Sequence, residues 1–151
     1  MKDLIKLLKE KHLTISSIES FTGGLFASEI TAIPGASKVY VGTLVSYDTK
    51  IKRDILKIDD VIDRFGVISK ECAIALASNG NKYFKTDLCV SFTGNAGPDV
   101  MENKKAGLVY MAIDYQGKQY VFEDNYNCER NEIRIKSVEK AIQRLKNIIL
   151  G

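Results

Sequence analysis

Apolar residues recur along this chain with two alternating periods. In "DLIKLLKEKH", Leu4, Ile5, Leu7 and Leu8 gather on one side of a helix and charged residues fill the other. Leu13, Ile15 and Ile18 then mark a strand that stops at the loop "SFTGG". Helical spacing resumes with Leu25, Phe26 and Ile30 until Pro34-Gly35 ends it. The β-rich run "KVYVGTLVSY" predicts a second strand, with Gly42 marking a bulge or a close backbone approach. "TKIKRDILKI" reads as a polar helix and "DDVIDRFG" as a short helical turn closed by Gly66. Ser69 caps a longer helix that buries Cys72, Ala73, Leu76 and Ala77 and finishes near Tyr83. "DLCVSFTG" is an apolar strand running into "NAGPD". "GLVYMAID" and "KQYVFEDNY" form a hairpin across Tyr115, Gln116 and Gly117. A last helix, about 129–149, turns Ile133, Val138, Ile142, Leu145 and Ile149 inward.

Helices alternating with strands, and a late hairpin, predict an α/β fold: three α/β/α layers, with a mixed β-sheet and helices on both faces. A chain of 151 residues, 45% hydrophobic and 27% charged, fits one soluble domain over 1–151. No apolar run approaches the ~20 residues of a membrane span, so no membrane partner is expected. The charged N-terminus lacks the apolar segment of a secretory signal, which makes a cytoplasmic location the expectation. A net charge of +3, from 22 basic and 19 acidic residues, argues against a nucleic-acid partner. Cys72, Cys89 and Cys128 have no metal-ligand spacing, and the first two sit in apolar patterns, so no metal site is expected.

Chemistry concentrates at the strand ends. Ser20 lies between Glu19 and the pair Gly23-Gly24, at a strand-to-helix junction where free backbone N–H groups favour an anion or a developing oxyanion. The plainer alternative is that Ser20 or Thr22 caps the helix. "TGNAGPD", Thr93 to Asp99, is a second glycine-rich turn after a strand, and two such turns can converge on one crevice. Neither matches a P-loop or a dinucleotide fingerprint. The one histidine, His12, ends the charged first helix, so a nucleophilic Ser20 needs a lysine, tyrosine or carboxylate base. "SYDTKIKR" offers Tyr47, Lys50 and Lys52, either as a base with a tyrosine relay or as a solvated cationic face. Arg130 and Arg134 share a helix face that serves either a phosphate or carboxylate, or a surface ladder with Glu129 and Glu132.

In order along the chain, "ESFTGG", "PGAS", "SYDTKIK", "GVIS", "TGNAGP", "AGLVY" and "RNEIR" resemble the C-terminal domain family of the CinA (competence/damage-inducible) proteins, whose enzymatic members are nicotinamide-nucleotide amidases. The resemblance spans nearly the whole chain. It implies deamidation of nicotinamide mononucleotide to nicotinic acid mononucleotide and ammonia, with no metal or organic cofactor. It assigns the nucleophile to Ser20, the base to Lys52 rather than Lys50, and a further catalytic role to Tyr47. It places substrate contacts at Glu19, Thr22, Gly23, Gly24, Thr93, Gly94, Ala96, Gly97 and Arg130. A homo-oligomer, dimer or higher, is implied as well. The family's frequent upstream domain has no counterpart here, so a stand-alone form is the expectation. Phe21 departs from the family's usual cysteine, and Asn95 and "DVMENKKAG" depart from an apolar residue and a glycine-rich stretch. Those departures keep two alternatives open: a non-catalytic nucleotide- or phosphate-binding module, and a serine hydrolase of another small amide or ester.

Overall fold

A computed structural model describes residues 1–151. Its elements are α1 (Lys2–Glu10), β1 (Ile15–Glu19), α2 (Leu25–Thr31), β2 (Tyr40–Val45), α3 (Thr49–Asp54), α4 (Asp59–Phe65), α5 (Lys70–Phe84), β3 (Leu88–Gly94), β4 (Leu108–Tyr115), β5 (Lys118–Asn125) and α6 (Arg130–Leu150), with a short 3-10 turn at Ala36–Lys38. The predicted elements all form. Their ends shift: α1 stops at Glu10, leaving His12 exposed at a φ of 55°, and β2 stops at Val45, so that Tyr47 lies beyond the strand.

The five strands make one mixed sheet in the order β2-β1-β3-β4-β5. β1 runs parallel to both neighbours, β2 and β3, whereas β4 pairs antiparallel with both β3 and β5. Side chains alternate across the sheet, so each strand supplies both faces. Leu88, Val90 and Phe92 face a core with α1, α2 and α6, which contribute Leu4, Phe26, Ile30 and Leu145. Cys89, Tyr110 and Ala112 face a second core with Ile62, Ile68, Cys72 and Leu76 from α4, α5 and the turn between them. This is the three-layer arrangement that the alternation of periods predicts. Both buried cysteine thiols, Cys72 and Cys89, are pushed up to about 12 by burial, and all three cysteines are free. No helix is long and apolar enough to cross a membrane.

Gly42 serves both predicted purposes. The β1–β2 register jumps from Ile15 opposite Tyr40 to Ser16 opposite Gly42, which leaves Val41 as an extra residue. A Cβ at Gly42 would lie 3.1 Å from the Phe84 ring, tight enough to force that ring aside.

The topology sets the site. From β1 the chain passes to β2 on one side through α2, and later to β3 on the other side through α3, α4 and α5. The carboxyl ends of β1, β2 and β3 therefore open on one crevice, at the point where the strand order reverses.

Candidate active site

Ser20 follows β1 directly. Its N–H extends the sheet by donating to Phe92 O at 3.1 Å, and its carbonyl accepts from Gly23 N at 3.0 Å, closing a tight turn. Gly23 and Gly24 hold φ of 59° and 98° there, a backbone conformation costly for any residue with a Cβ. The N–H groups of Phe21, Thr22 and Gly24 meet no acceptor in the chain. Neither Ser20 nor Thr22 caps α2. The buried Glu19 carboxylate does, accepting from Phe26 N and Ala27 N at 3.0 Å each. The Ser20 hydroxyl is thereby free of helix duty.

Lys52 meets that hydroxyl. It lies on α3, a short helix capped by Asp48, whose side chain accepts from Lys50 N at 2.7 Å. Lys50 points outward, whereas Lys52 is only 1% exposed. Lys52 Nζ is 3.1 Å from Ser20 Oγ, reaches the Ser46 carbonyl, and lies 3.4 Å from the Tyr47 carbonyl. It forms no ion pair. Burial accordingly pulls its pKa below the ordinary 10.5, against smaller opposing influences from Cys72 and Asp48. The neighbouring Cys72 thiol stays protonated at neutral pH and offers no anion to hold a lysine cation.

The three oxygens around Nζ suit both protonation states. As an ammonium, Lys52 donates to all of them. As a free amine, it donates to the two carbonyls and accepts from the Ser20 hydroxyl with its lone pair. A proton can thus pass between Oγ and Nζ without rearrangement of either side chain.

Beside the pair lies a cleft of about 290 Å³ lined by Ser20, Phe21, Tyr47, Gly94, Ala96 and Arg130, with Asn95 and the segment from Asp99 to Met101. Arg130 spans its mouth, donating to Gly97 O at 2.8 Å and to the Tyr47 hydroxyl at 2.9 Å. A larger surface groove of about 440 Å³, lined by Leu8, His12 and Lys38 among others, sits at the opposite end of β1, away from Ser20 and Lys52. No group of three or more His, Cys, Asp or Glu side chains is disposed to hold a metal ion.

The fold brings Ser20, Lys52, Tyr47, Gly94, Ala96, Gly97 and Arg130 to one place. Tyr47 touches Lys52 through its carbonyl, while the residue is 59% exposed and its hydroxyl bonds to Arg130 rather than to Ser20. The Thr93 hydroxyl donates to Val67 O at 2.6 Å, tying β3 to the turn before α5. Thr22, Gly23 and Gly24 form the turn behind the nucleophile, and Arg134 steadies that turn by donating to Thr22 O at 2.8 Å. The Phe21 ring is buried edge-on against Phe92, with centroids 6.5 Å apart, so most of its bulk enters the core. Sequence reasoning reached Asp99 as the end of the second turn but missed Val100 and Met101 as cleft residues, because nothing local to them signals where that segment folds back.

A family model described as the CinA C-terminal domain matches residues 1–149. The competence-damage inducible protein of Listeria monocytogenes is 41% identical over 145 residues, covering 95% of this chain and 35% of its own length. Its Bacillus subtilis counterpart is 43% identical over 135 residues, covering 89% and 32%. The chain therefore spans about a third of the length of these relatives. Among solved structures, the competence/damage inducible protein of Agrobacterium tumefaciens superposes with a TM-score of 0.93 at 30% identity, covering 99% of this chain and 93% of that one. A competence or damage-inducible protein from Enterobacter asburiae superposes at 0.95 with 22% identity, covering 98% and 94%, a likeness of fold.

Proposed function

The chain belongs to the CinA C-terminal domain family, and on that premise we propose that it is a nicotinamide-nucleotide amidase working through Ser20 and Lys52. The observation that carries this reading is the 3.1 Å contact between Ser20 Oγ and a buried, unpaired Lys52 Nζ. A serine hydroxyl attacks only if its proton has somewhere to go, and a lysine serves as base when desolvation leaves it neutral near working pH.

In the first half-reaction, Ser20 Oγ bonds to the carboxamide carbon as its proton moves to Lys52 Nζ. The unpaired N–H groups of the Phe21–Gly24 turn receive the negative charge on the carbonyl oxygen. Collapse of this intermediate breaks the C–N bond. Lys52 returns the proton to the departing nitrogen, and ammonia leaves an ester on Ser20. Water then attacks the ester with Lys52 again as base, releasing the carboxylic acid and restoring the serine. The balance is one amide and one water in, one acid and one ammonia out. Arg130, at the cleft mouth, binds the nucleotide phosphate, and the Tyr47 hydroxyl orients its guanidinium.

Ammonia release from nicotinamide mononucleotide tests this directly. Ser20→Ala is expected to lower kcat by a factor on the order of 10³ or more. Full activity in that variant would contradict the mechanism.

A further inference from the structure

The cleft beside Ser20 holds two opposite charges that do not pair. Arg130 and Asp99 both line it. Arg130 is pinned by Gly97 O and the Tyr47 hydroxyl, and Asp99 makes no ion pair in the chain.

The segment that carries Asp99 is fastened on both sides of it. The Asn95 side chain, 4% exposed, donates to Met101 O at 3.1 Å and Lys104 O at 3.0 Å and accepts from Met101 N at 3.1 Å. The Glu102 carboxylate accepts from Val67 N at 2.9 Å and Ile68 N at 3.0 Å, fastening the segment to the turn before α5. Gly66 leaves room for this clasp, since a Cβ there would fall 2.6 Å from Glu102 Oε2. Asp99 is thus carried between fixed points at Asn95 and Met101. Val100 and Met101, about half exposed, add apolar surface to the same wall.

A cleft that keeps a carboxylate and a guanidinium unneutralised, with an apolar wall beside the carboxylate, complements a ligand with the reverse charges and a flat ring. We propose that Asp99 is a specificity-determining residue that selects the cationic pyridinium ring of an oxidised nicotinamide nucleotide, while Arg130 takes its phosphate. The proposal rests on the amidase reading and names which form of the nucleotide the site accepts. The oxidised ring carries a quaternary nitrogen. The reduced, dihydropyridine form has the same ribose, phosphate and carboxamide with an uncharged ring, so the two ligands isolate one charge.

The test measures binding of oxidised and reduced nicotinamide mononucleotide to the full chain carrying Ser20→Ala, by calorimetry, with and without Asp99→Asn. The Ser20→Ala protein is expected to prefer the oxidised form by about tenfold, an attraction of the size expected for one partly solvated charge pair. Adding Asp99→Asn removes that preference by weakening the oxidised form and leaves the reduced form within about twofold. Asp99→Glu in the same background retains the preference. Equal loss for both nucleotides, or no loss for either, overturns the proposal. Ammonia release by the unsubstituted protein separates the two readings. With release intact and no selective effect of Asp99→Asn, only the role of Asp99 falls. With no release and no binding of either nucleotide, the amidase reading falls and takes this one with it.

Discussion

Two lysines in this fold have their charge treated in opposite ways. Lys140, on α6, places Nζ 2.8 Å from the Asp124 carboxylate and 4.9 Å from the centre of the Tyr126 ring. Arg144 joins the same carboxylate with contacts of 2.6 and 2.9 Å. Asp124 hydrogen-bonds to Lys140 and holds its pKa above the ordinary 10.5. Lys52 is more deeply buried, touches only uncharged oxygens, and has its pKa pulled below that value by desolvation. At the β5–α6 junction a charge is stabilised, as a structural ion pair requires. At the β1–β2 crevice a charge is made costly, and the side chain becomes a base.

Substitutions should separate these two roles. The largest effect is expected from Lys52→Met, which removes the base but keeps the buried stem. Ammonia release should fall by roughly 10²- to 10⁴-fold, while the melting temperature holds or rises because a buried amine without a charged partner is gone. Retained activity in this variant would break the comparison. Next, Asp124→Asn should cost about 1–3 kcal/mol in denaturant titration, moderated by the exposure of Lys140. The kcat of the folded protein should stay within about twofold. A smaller effect is expected from Thr93→Val, which removes the hydroxyl donated to Val67 O and should cost about 1 kcal/mol of stability, with KM nearly unchanged. A large rise in KM would instead return Thr93 to the substrate.

The pH dependence of stability sharpens the contrast. Burial pushes the Asp124 carboxyl upward, but hydrogen bonds from Arg144 and Lys140 hold it below the ordinary 3.8. Its contribution is therefore complete above that value and is lost as pH falls through the lower folded pKa. Lys52 works the other way. Its folded pKa is depressed, so above that pKa the unfolded chain binds the extra proton. Stability should then rise with pH until the ordinary lysine value of 10.5 is passed. Acid and alkaline denaturation curves of Asp124→Asn and Lys52→Met should each lose one of these slopes.

Much of the fold was legible from periodicity, because α1, α5 and α6 each keep an apolar stripe and β3 and β4 are largely apolar and buried along nearly their whole length. Ser20 was half legible: a serine before two glycines at a strand end reads as a cap or as a nucleophile, and the family resemblance chose between them. Lys52 was harder to read. In "TKIKRD" it has the same composition as a solvated face, and only its approach to Ser46 and Tyr47 carbonyls sets it apart from Lys50. Without the family resemblance, spacing alone left both lysines open. The wall beyond Asp99, at Val100 and Met101, was not legible. Its shape depends on Glu102 reaching Val67 and Ile68, more than thirty residues earlier in the chain, and no periodic pattern encodes that contact. The helix cap at Glu19 was hidden for a related reason, since it acts on Phe26 and Ala27 across the intervening turn.

The measurement that bears most directly on the Ser20–Lys52 pair is the pH profile of kcat/KM for ammonia release from nicotinamide mononucleotide. In the free enzyme this ratio follows the ionisation of the essential base. A base at Lys52 requires a rate that rises with pH through a midpoint below 10.5, reporting its free amine. A rise centred in the carboxylate range, or a rate that tracks an ordinary lysine, would contradict it.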